Sequence, residues 1–295
     1  MATRTSTIFL PAARSRQVGN WLAVAPFFLF ALLFLILPTL NIVVGAFRDV
    51  DGHLTLGNLV KLFTPSIRDA FWLSIQLSVL TAVLGCLFGF TIAAVLTFGR
   101  LPGGLRSAII TFCGVAANFA GVPLAFAFIA TLGRLGFVTL LLRDWFGVYL
   151  YATGFDLISF SGLAITYLYF QIPLMVLIIL PALEGLRQEW SEAAASLGAS
   201  GIQYWRMVAL PVLWPSLLGT LALLFANSFG AVATAIALTG SSLSIAPIML
   251  FAQIRGDVLN DPHLGYAIAF AMIALTGVAN GIYICLRMRA ERWVK

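Results

Sequence analysis

The sequence predicts an all-α integral membrane protein with six transmembrane helices, on the basis of two observations. The first is composition: 61% of the 295 residues are hydrophobic, only 9% are charged, and the mean hydropathy is +1.02, whereas soluble domains carry about 25% charged residues. The second is patterning: six windows free of Asp, Glu, Lys and Arg each reach the roughly 20 residues that a helix needs to cross a bilayer. We therefore interpret the chain as one membrane domain.

The six apolar windows occupy residues 21–286, between predicted cytoplasmic tails at residues 1–20 and 287–295. The first window follows three arginines and is about twice as long as the apolar region of a secretory signal. It also lacks a small-x-small cleavage site, so we expect it to be retained as a span. In chain order the windows are Trp21–Phe47, Ala70–Phe98, Ser107–Leu132, Ser159–Leu183, Met207–Leu238 and Leu264–Leu286.

Two further apolar segments are too short to cross a bilayer. Phe137–Gly147 carries Arg143 and Asp144 within the run, which is typical of an amphipathic helix lying at the membrane interface. Ser242–Arg255 is interrupted by a proline and ends on a charge, which predicts a loop helix that caps the helix bundle.

The distribution of Lys and Arg in the loops predicts the orientation in the membrane, because these residues are retained in the cytoplasm. Six spans place both termini on one side, and eleven of the 17 basic residues fall there: Arg4, Arg14, Arg16, Arg100, Arg106, Arg187, Arg206, Arg287, Arg289, Arg292 and Lys295. The other side has Arg48, Lys61, Arg68, Arg134, Arg143 and Arg255. Both termini are therefore predicted to be cytoplasmic. This asymmetry accounts for the net charge of +6 without a nucleic-acid partner.

The loop at residues 184–206 joins the fourth and fifth predicted spans on the cytoplasmic side. Ser191 is predicted to cap a short helix with Glu192 in its first turn, Gly198 to end it, and Ser200 to cap a second helix. Between Ala193 and Gly201, only one side chain is bulky, and small side chains allow a partner's backbone to approach closely. The alternative is an amphipathic connector on the membrane surface, which would present bulky apolar groups to lipid.

This loop resembles the EAA motif in permease subunits of binding-protein-dependent ABC importers of the type I, MetI-like fold. The family pattern is E-A-A, three residues, G, nine residues, and I-x-L-P. The chain has Glu192-Ala193-Ala194, then Gly198 after three residues, and Val208-Ala209-Leu210-Pro211 after nine more. Valine in place of isoleucine is the one departure. The resemblance implies a MetI-like permease fold across the whole membrane domain.

The resemblance also implies that the loop forms a coupling helix that docks on a separate ATPase subunit. The residues then expected to contact the ATPase are Glu192, Ala193, Ala194, Ser196, Leu197, Gly198 and Ala199. Ser191, Val208, Leu210 and Pro211 are expected to shape the loop and start the fifth span. The implied partners are an ATPase dimer, a second homologous permease subunit and a periplasmic or lipid-anchored substrate-binding protein. ATP and Mg would be bound by the ATPase, and the complex would lie in a bacterial inner membrane.

Neutral polar side chains must line any substrate pathway, because the predicted spans contain no ionisable Asp, Glu, Lys or Arg. Polar groups in a bilayer tend to face the interior of the helix bundle, but they also hold helices together by hydrogen bonds. Either role is open for each of the candidates, which are Asn118, Tyr167, Tyr169, Gln171, Asn227, Ser228 and Thr234.

Two segments, VAANFAGVPLAFAFIATLG and IAPIMLFAQIRGDVLNDPHLGYAIA, resemble the family branch that transports polyamines, phosphonates, opines and ferric iron. The resemblance implies a polyamine such as spermidine or putrescine as the substrate, with 2-aminoethylphosphonate or another small organic solute as the alternative. Cation–π contacts to Tyr or Trp would replace the missing carboxylates for a polyamine.

Two other functional classes are disfavoured by the sequence. An intramembrane enzyme needs a nucleophile with a base, or clustered metal ligands, within the spans. A channel or secondary transporter that works alone often uses intramembrane carboxylates or an inverted repeat of discontinuous helices, and neither is evident. The sequence has no P-loop, and its three cysteines and two histidines (Cys86, Cys113, Cys285, His53 and His263) have no metal-site spacing. We expect no catalytic residue and no metal site.

Overall fold

The computed structural model describes residues 24–49, 51–256 and 262–291. The predicted tail at residues 1–20 lies outside these ranges, as do residues 21–23 of the first predicted window and residues 292–295 of the second tail. The described chain is helical, and its one β-type contact is an isolated bridge between Arg48 and Leu54. The predicted all-α class is therefore confirmed.

Twelve helices are present in the described residues. The first seven, which precede the loop at residues 184–206, are α1 (Val24–Ala46), α2 (Gly57–Lys61), α3 (Pro65–Phe98), α4 (Gly103–Asn118), α5 (Val122–Leu132), α6 (Phe137–Phe146) and α7 (Phe160–Glu184). A 3₁₀ turn at Leu150–Thr153 lies between α6 and α7. The remaining helices are α8 (Gln188–Ser196), α9 (Gly201–Phe229), α10 (Val232–Thr239), α11 (Ala246–Gly256) and α12 (Pro262–Glu291). Helices α1 and α9 contain π-helical segments at Leu32–Ile36 and Trp205–Ala209.

Six helical segments of the described chain are long and apolar enough to cross a membrane, as predicted. They are Val24–Ala46, Pro65–Phe98, Val122–Phe146, Phe160–Glu184, Gly201–Phe229 and His263–Cys285. The first, second, fourth and sixth agree with the predicted windows to within a few residues.

The third predicted span, Ser107–Leu132, is wrong as a single helix. The chain leaves the helical conformation after Asn118 and resumes it at Val122, so that α4 and α5 are separate. Gly121 adopts a φ of +74° at this break, a conformation that residues other than glycine rarely adopt. The segment that qualifies as a span by length and composition instead joins α5 to α6, and it is itself not helical at residues 133–136.

The fifth predicted span, Met207–Leu238, is also broken. Helix α9 begins six residues earlier, at Gly201, and ends at Phe229. Gly230 and Ala231 then separate it from α10. A window of hydropathy passes over both breaks because the residues in them are apolar or small.

Helix α7 lies at the centre of the bundle and packs against α3, α4 and α9. Two glycines on α3 allow a close approach: a Cβ added at Gly85 would lie 2.9 Å from the Cβ of Gln171, and one at Gly89 would lie 2.5 Å from that of Met175. Two clusters of buried side chains, centred on Tyr167 and Ile179, fill the two ends of this contact. Helix α7 is therefore the element that positions the rest of the membrane domain.

The two short apolar segments are both helical. Helix α6 exposes Phe137 and Trp145 and buries Thr139. It ends at Phe146 and is followed by Gly147, which has a φ of +66°. Helix α11 begins at Ala246, four residues later than the predicted segment, and packs against α3, α10 and α12. The interfacial position of α6 remains a prediction.

Candidate functional site

Helix α8, in the loop that carries the EAA-like pattern, begins earlier than predicted. Arg187 is the residue before its first turn, so the prediction that Ser191 caps the helix is wrong. Glu189 occupies the first turn, where its charge complements the positive end of the helix. Glu192 therefore lies in the second turn, and its carboxylate accepts a hydrogen bond of 2.9 Å from the Gln188 side chain. No ion pair of Glu192 is present within the described ranges.

The turn between α8 and α9 forms as predicted. Gly198 has a φ of +76°, and the amide groups of Gly198 and Ala199 donate to the carbonyls of Ala195 and Ala194. Ser200 caps α9: its hydroxyl accepts from the Gln203 amide at 3.3 Å, and the Gln203 side chain accepts from the Ser200 amide at 2.7 Å. This capping box satisfies two backbone N–H groups at the start of α9 that have no partner within the helix.

The surface of this loop is exposed. The predicted contact residues that are exposed are Glu192, Ala193, Ser196, Leu197 and Gly198, and the half-buried ones are Ala194 and Ala199. Leu197 is 88% exposed, and Ile202 and Met207 on α9 are 81% and 73% exposed. Large apolar side chains that are this exposed, beside a strip of alanine and serine, are typical of a surface that contacts a partner.

Trp205 joins the exposed loop to the interior of the bundle. Its ring lies edge-to-face against Phe90 and Phe98 of α3, with centroids 6.2 and 5.4 Å away. Val208 is half-buried in the π-helical segment, and Leu210 and Pro211 begin the α-helical part of α9 that follows it. The sequence reasoning assigned no role to Trp205, although the aromatic pair Tyr204-Trp205 just after the small residues of the loop was an available signal.

An ion pair between Arg106 and Glu184 ties α4 to α7 at the end of the bundle that carries the loop. The same guanidinium donates from Nε to the Leu96 carbonyl of α3 at 3.0 Å. These contacts link α3, α4 and α7 beside the loop.

The two helix breaks lie side by side in the bundle. The Gly121 amide, at the start of α5, donates to the Thr234 hydroxyl of α10 at 2.8 Å. The Tyr167 hydroxyl of α7 donates to the carbonyl of Ala231, between α9 and α10, also at 2.8 Å. Backbone that is not helical within a membrane is tolerated where such partners satisfy it or where it lines a cavity.

A cavity of about 260 Å³ lies between the two breaks. Its lining contains no ionisable side chain and consists of Ala117, Ala120, Gly121, Phe170, Asn227, Gly230, Ala231, Val232, Ala233 and Thr234. The starts of α5 and α10 both border this space, and the N-terminal end of a helix carries partial positive charge. The polar groups of its lining are the backbone and the Asn227 and Thr234 side chains.

The structure separates the predicted pathway residues into two groups. Asn227 and Thr234 line the cavity, and Tyr167 is bonded to its rim. The other candidates make contacts within or between helices. Gln171 donates to the Leu224 carbonyl at 2.8 Å, and Ser228 shares a hydrogen bond of 2.8 Å with Thr81.

The last two candidates also have partners within the bundle. Asn118 bonds the Gly114 carbonyl of its own helix at 2.8 Å, and Tyr169 packs edge-on against Phe119 and Phe128. The discontinuous helices that the sequence reasoning did not find are thus the feature that shapes the cavity. Their available signals were the Gly121–Pro123 segment and Gly230.

The described residues contain no group of three or more His, Cys, Asp or Glu side chains able to hold a metal ion. The side chains and backbone around the cavity can donate and accept hydrogen bonds. They are suited to contacting a small solute by hydrogen bonding.

No family model matches the chain. It is 27% identical over 255 residues to the sulfate transport system permease protein CysT of Salmonella typhimurium, covering 83% of this chain and 85% of that protein. It is also 27% identical over 221 residues to the molybdenum transport system permease protein ModB of Mycobacterium tuberculosis, covering 73% and 78%. These relatives are named for sulfate and molybdenum, so they do not support the predicted polyamine branch.

Among solved structures, the chain is similar to one from a bacterial ABC transporter involved in the import of the acidic polysaccharide alginate. The TM-score is 0.71 at 18% sequence identity, covering 95% of this chain and 98% of that one. A second structure of an alginate transporter, in complex with a periplasmic protein that holds an alginate pentasaccharide, gives the same TM-score with 95% and 96% covered. With its six candidate spans, the chain has the fold of an ABC importer permease.

Proposed function

We propose that the chain is the membrane-spanning permease subunit of an ABC importer in a bacterial inner membrane, with both termini in the cytoplasm. The observation that carries the proposal is the exposed loop of α8 and α9, which matches the EAA pattern and is anchored in the bundle by Trp205. The chain itself hydrolyses nothing. ATP and Mg are bound by a partner ATPase dimer.

In this proposal the loop docks on the ATPase surface. Leu197 and the alanines of α8 contact the ATPase, and the Glu192 carboxylate pairs with one of its basic groups. Closure of the ATPase dimer moves α8, and the capping box at Ser200 transmits the displacement to α9. Trp205 carries it onward to α3, because rigid packed elements move as units. A second, homologous permease subunit and a substrate-binding protein complete the complex.

The cavity between the helix breaks is proposed as part of the substrate pathway. The hydrogen bonds from Gly121 to Thr234 and from Tyr167 to Ala231 close its rim in this conformation. Movement of α9 relative to α7 would change the distance across these bonds. The two breaks provide short segments that can shift without unfolding a whole span.

We propose a small inorganic oxyanion, sulfate or molybdate, as the substrate. The relatives named for these ions support the choice. The lining of the cavity also supports it, because it has no carboxylate for a polyamine and is bordered by the positive ends of α5 and α10. Asn227 supplies an amide donor. A polyamine, 2-aminoethylphosphonate or another organic solute is the alternative outcome.

The test is uptake into proteoliposomes that contain the chain together with its ATPase, second permease and binding protein. We expect ATP-dependent uptake of radiolabelled sulfate or molybdate and none of spermidine. Uptake of spermidine would refute the substrate proposal, and equal uptake without the ATPase would favour a transporter that works alone. Asn227→Ala should reduce uptake, while Asn118→Ala, which changes a side chain outside the cavity lining, is the matched control.

A further inference from the structure

A second cavity, bordered by two arginines, lies at the end of the bundle opposite the loop. It occupies about 280 Å³ between α6 and the 3₁₀ turn. Helix α7 begins near this cavity at Phe160 and ends at the loop at Glu184, which places the two at opposite ends. The cavity shares no lining residue with the one between the helix breaks. It is lined by Arg134, Thr139, Arg143, Val148, Tyr149, Leu150, Tyr151 and Ala152.

Thr139 lines this cavity with an unused hydroxyl group. Its side chain is only 8% exposed, and its Oγ1 atom has no hydrogen-bond partner in the described part of the chain. Other buried threonines on the helices, such as Thr81 and Thr166, donate to the carbonyl four residues earlier. A buried hydroxyl without a partner is uncommon and destabilising. Because less than 1 Å² of the Oγ1 atom is accessible, a ligand atom in the cavity gives it a partner only after the Thr139 side chain rotates towards the cavity.

Two guanidinium groups border the same space and keep donors available. Arg143 uses Nε for Asp144 at 2.7 Å, and Arg134 uses one terminal nitrogen for Asp156 at 3.7 Å. A guanidinium has five N–H donors, so each arginine retains several. Neither aspartate lines the cavity, so the charged groups in its lining are all positive.

Arg134 contacts the 3₁₀ turn, although 77% of its side chain is exposed. The Arg134 guanidinium lies over the Tyr151 ring, 5.3 Å from its centroid, and the Tyr151 hydroxyl donates to the Leu132 carbonyl at 2.8 Å. The pKa of the Tyr151 phenol is raised, chiefly because burial disfavours its charged form. The ring is thus a fixed, neutral support for the cation.

We infer that this cavity binds a tetrahedral oxyanion group. Guanidinium forks and a hydroxyl match the geometry of sulfate and phosphate oxygens, and a rotation of the Thr139 side chain would bring its unpartnered hydroxyl to an acceptor in the cavity. Two sources supply this chemistry. One is the phosphate of a phospholipid, whose acyl chains would cover the exposed Phe137, Trp145 and Phe146 on α6. The other is a free inorganic oxyanion.

The test uses the purified full chain and requires neither ATPase nor transport, so its outcome is independent of the proposed function. One arm titrates sulfate into the chain in an uncharged detergent and follows binding by calorimetry. The other arm counts phospholipid retained after purification by native mass spectrometry. The variants are Arg134→Gln with Arg143→Gln, and Thr139→Val. Arg68→Gln is the matched control, because Arg68 also pairs with the aspartate next to it and lies outside the cavity.

We expect binding in at least one arm. The arginine variant should weaken sulfate affinity at least about tenfold, or abolish lipid retention, because charge-assisted hydrogen bonds are lost. Thr139→Val should weaken whichever of sulfate binding and lipid retention the unaltered chain shows, and should leave the melting temperature of the ligand-free chain unchanged or higher. This variant keeps the test decisive if the arginine variant fails to fold. Arg68→Gln should bind as the unaltered chain does.

Three results would overturn the inference. They are no binding in either arm, equal losses in the Arg68→Gln control, and sulfate affinity and lipid retention that are both unchanged in the arginine variant. Asn227→Ala is measured alongside, so that sulfate bound in the cavity between the helix breaks is counted separately.

Discussion

Replacing Gly198 by valine should uncouple the chain from its ATPase while leaving the membrane domain folded. Gly198 has a φ of +76°, and a Cβ added there would meet no atom within 4 Å. The penalty therefore comes from the backbone alone, which costs an L-residue about 1–2 kcal/mol in the left-handed region. The undocked valine loop can relax out of this conformation, whereas docking requires it, so the strain is paid on binding. A difference of about 1.4 kcal/mol is a tenfold change in an equilibrium, and affinity for the proposed ATPase should therefore fall about 5- to 30-fold.

The matched control is Gly198→Asn, because asparagine tolerates the left-handed conformation better than other residues with a side chain. The assay is co-purification of the ATPase with the chain, followed by stimulation of ATP hydrolysis by the loaded binding protein. Insertion of both variants is checked by thermal unfolding in detergent, where we expect little change because the turn is exposed. The reasoning is refuted if the valine variant associates normally, or if asparagine weakens association as much as valine.

Three further perturbations test separate parts of the account. Glu192→Lys should weaken ATPase association at least about tenfold, as loss of a docked charge pair does. Glu189→Lys, in the first turn of α8, should weaken it less. Equal effects of the two variants would disprove the docked pair. Trp205→Leu should lower the free energy of unfolding by about 1–3 kcal/mol, because two aromatic contacts with α3 are lost. It should also reduce uptake while ATPase association is retained. Unchanged uptake would show that Trp205 does not transmit motion from the loop to α3. Gly89→Ala should destabilise the α3–α7 contact by about 1–3 kcal/mol, measured by thermal unfolding. Gly114→Ala, with open space around it inside α4, should be neutral or stabilising, because alanine favours a helix more than glycine does. A Gly89 variant as stable as the unaltered chain would contradict the close packing.

The six spans could be predicted because a bilayer imposes a simple requirement of length and apolarity on each helix. The two breaks could not, because glycine and proline give an ambiguous signal within an apolar run. Pro173 and Pro215 lie inside continuous helices, whereas Gly121 and Gly230 lie at breaks. What distinguishes them is the hydrogen-bond partner that another helix supplies, such as Thr234 for Gly121.

The loop illustrates the same limit at a smaller scale. The turn at Gly198 and the cap at Ser200 depend on neighbouring residues alone, so the sequence was sufficient to predict them. Ser191 is a good capping residue, but the residues before it are compatible with a helix, and α8 begins at Gln188. Local propensity identifies possible helix starts without deciding among them.

The roles of the polar residues in the spans depended on which face of each helix they occupy. Gln171 and Asn227 are both amides in apolar helices, yet the first is buried against α9 and the second lines a cavity. Apolar residues surround both in the sequence, so hydropathy could not separate them. The proposed substrate could not be predicted from the spans, because most residues that line the cavity have apolar side chains or none and contribute only backbone groups.

Cross-linking from the loop tests the docking claim most directly. In one variant a photoreactive side chain replaces Leu197, which is highly exposed. In a second variant it replaces Ile158, which is exposed just before the start of α7, at the end of that helix opposite the loop. In membranes that contain the assembled complex, we expect the probe at position 197 to cross-link to the ATPase and the probe at position 158 not to. Cross-linking to the ATPase from position 158 alone, or from neither position, would contradict the account.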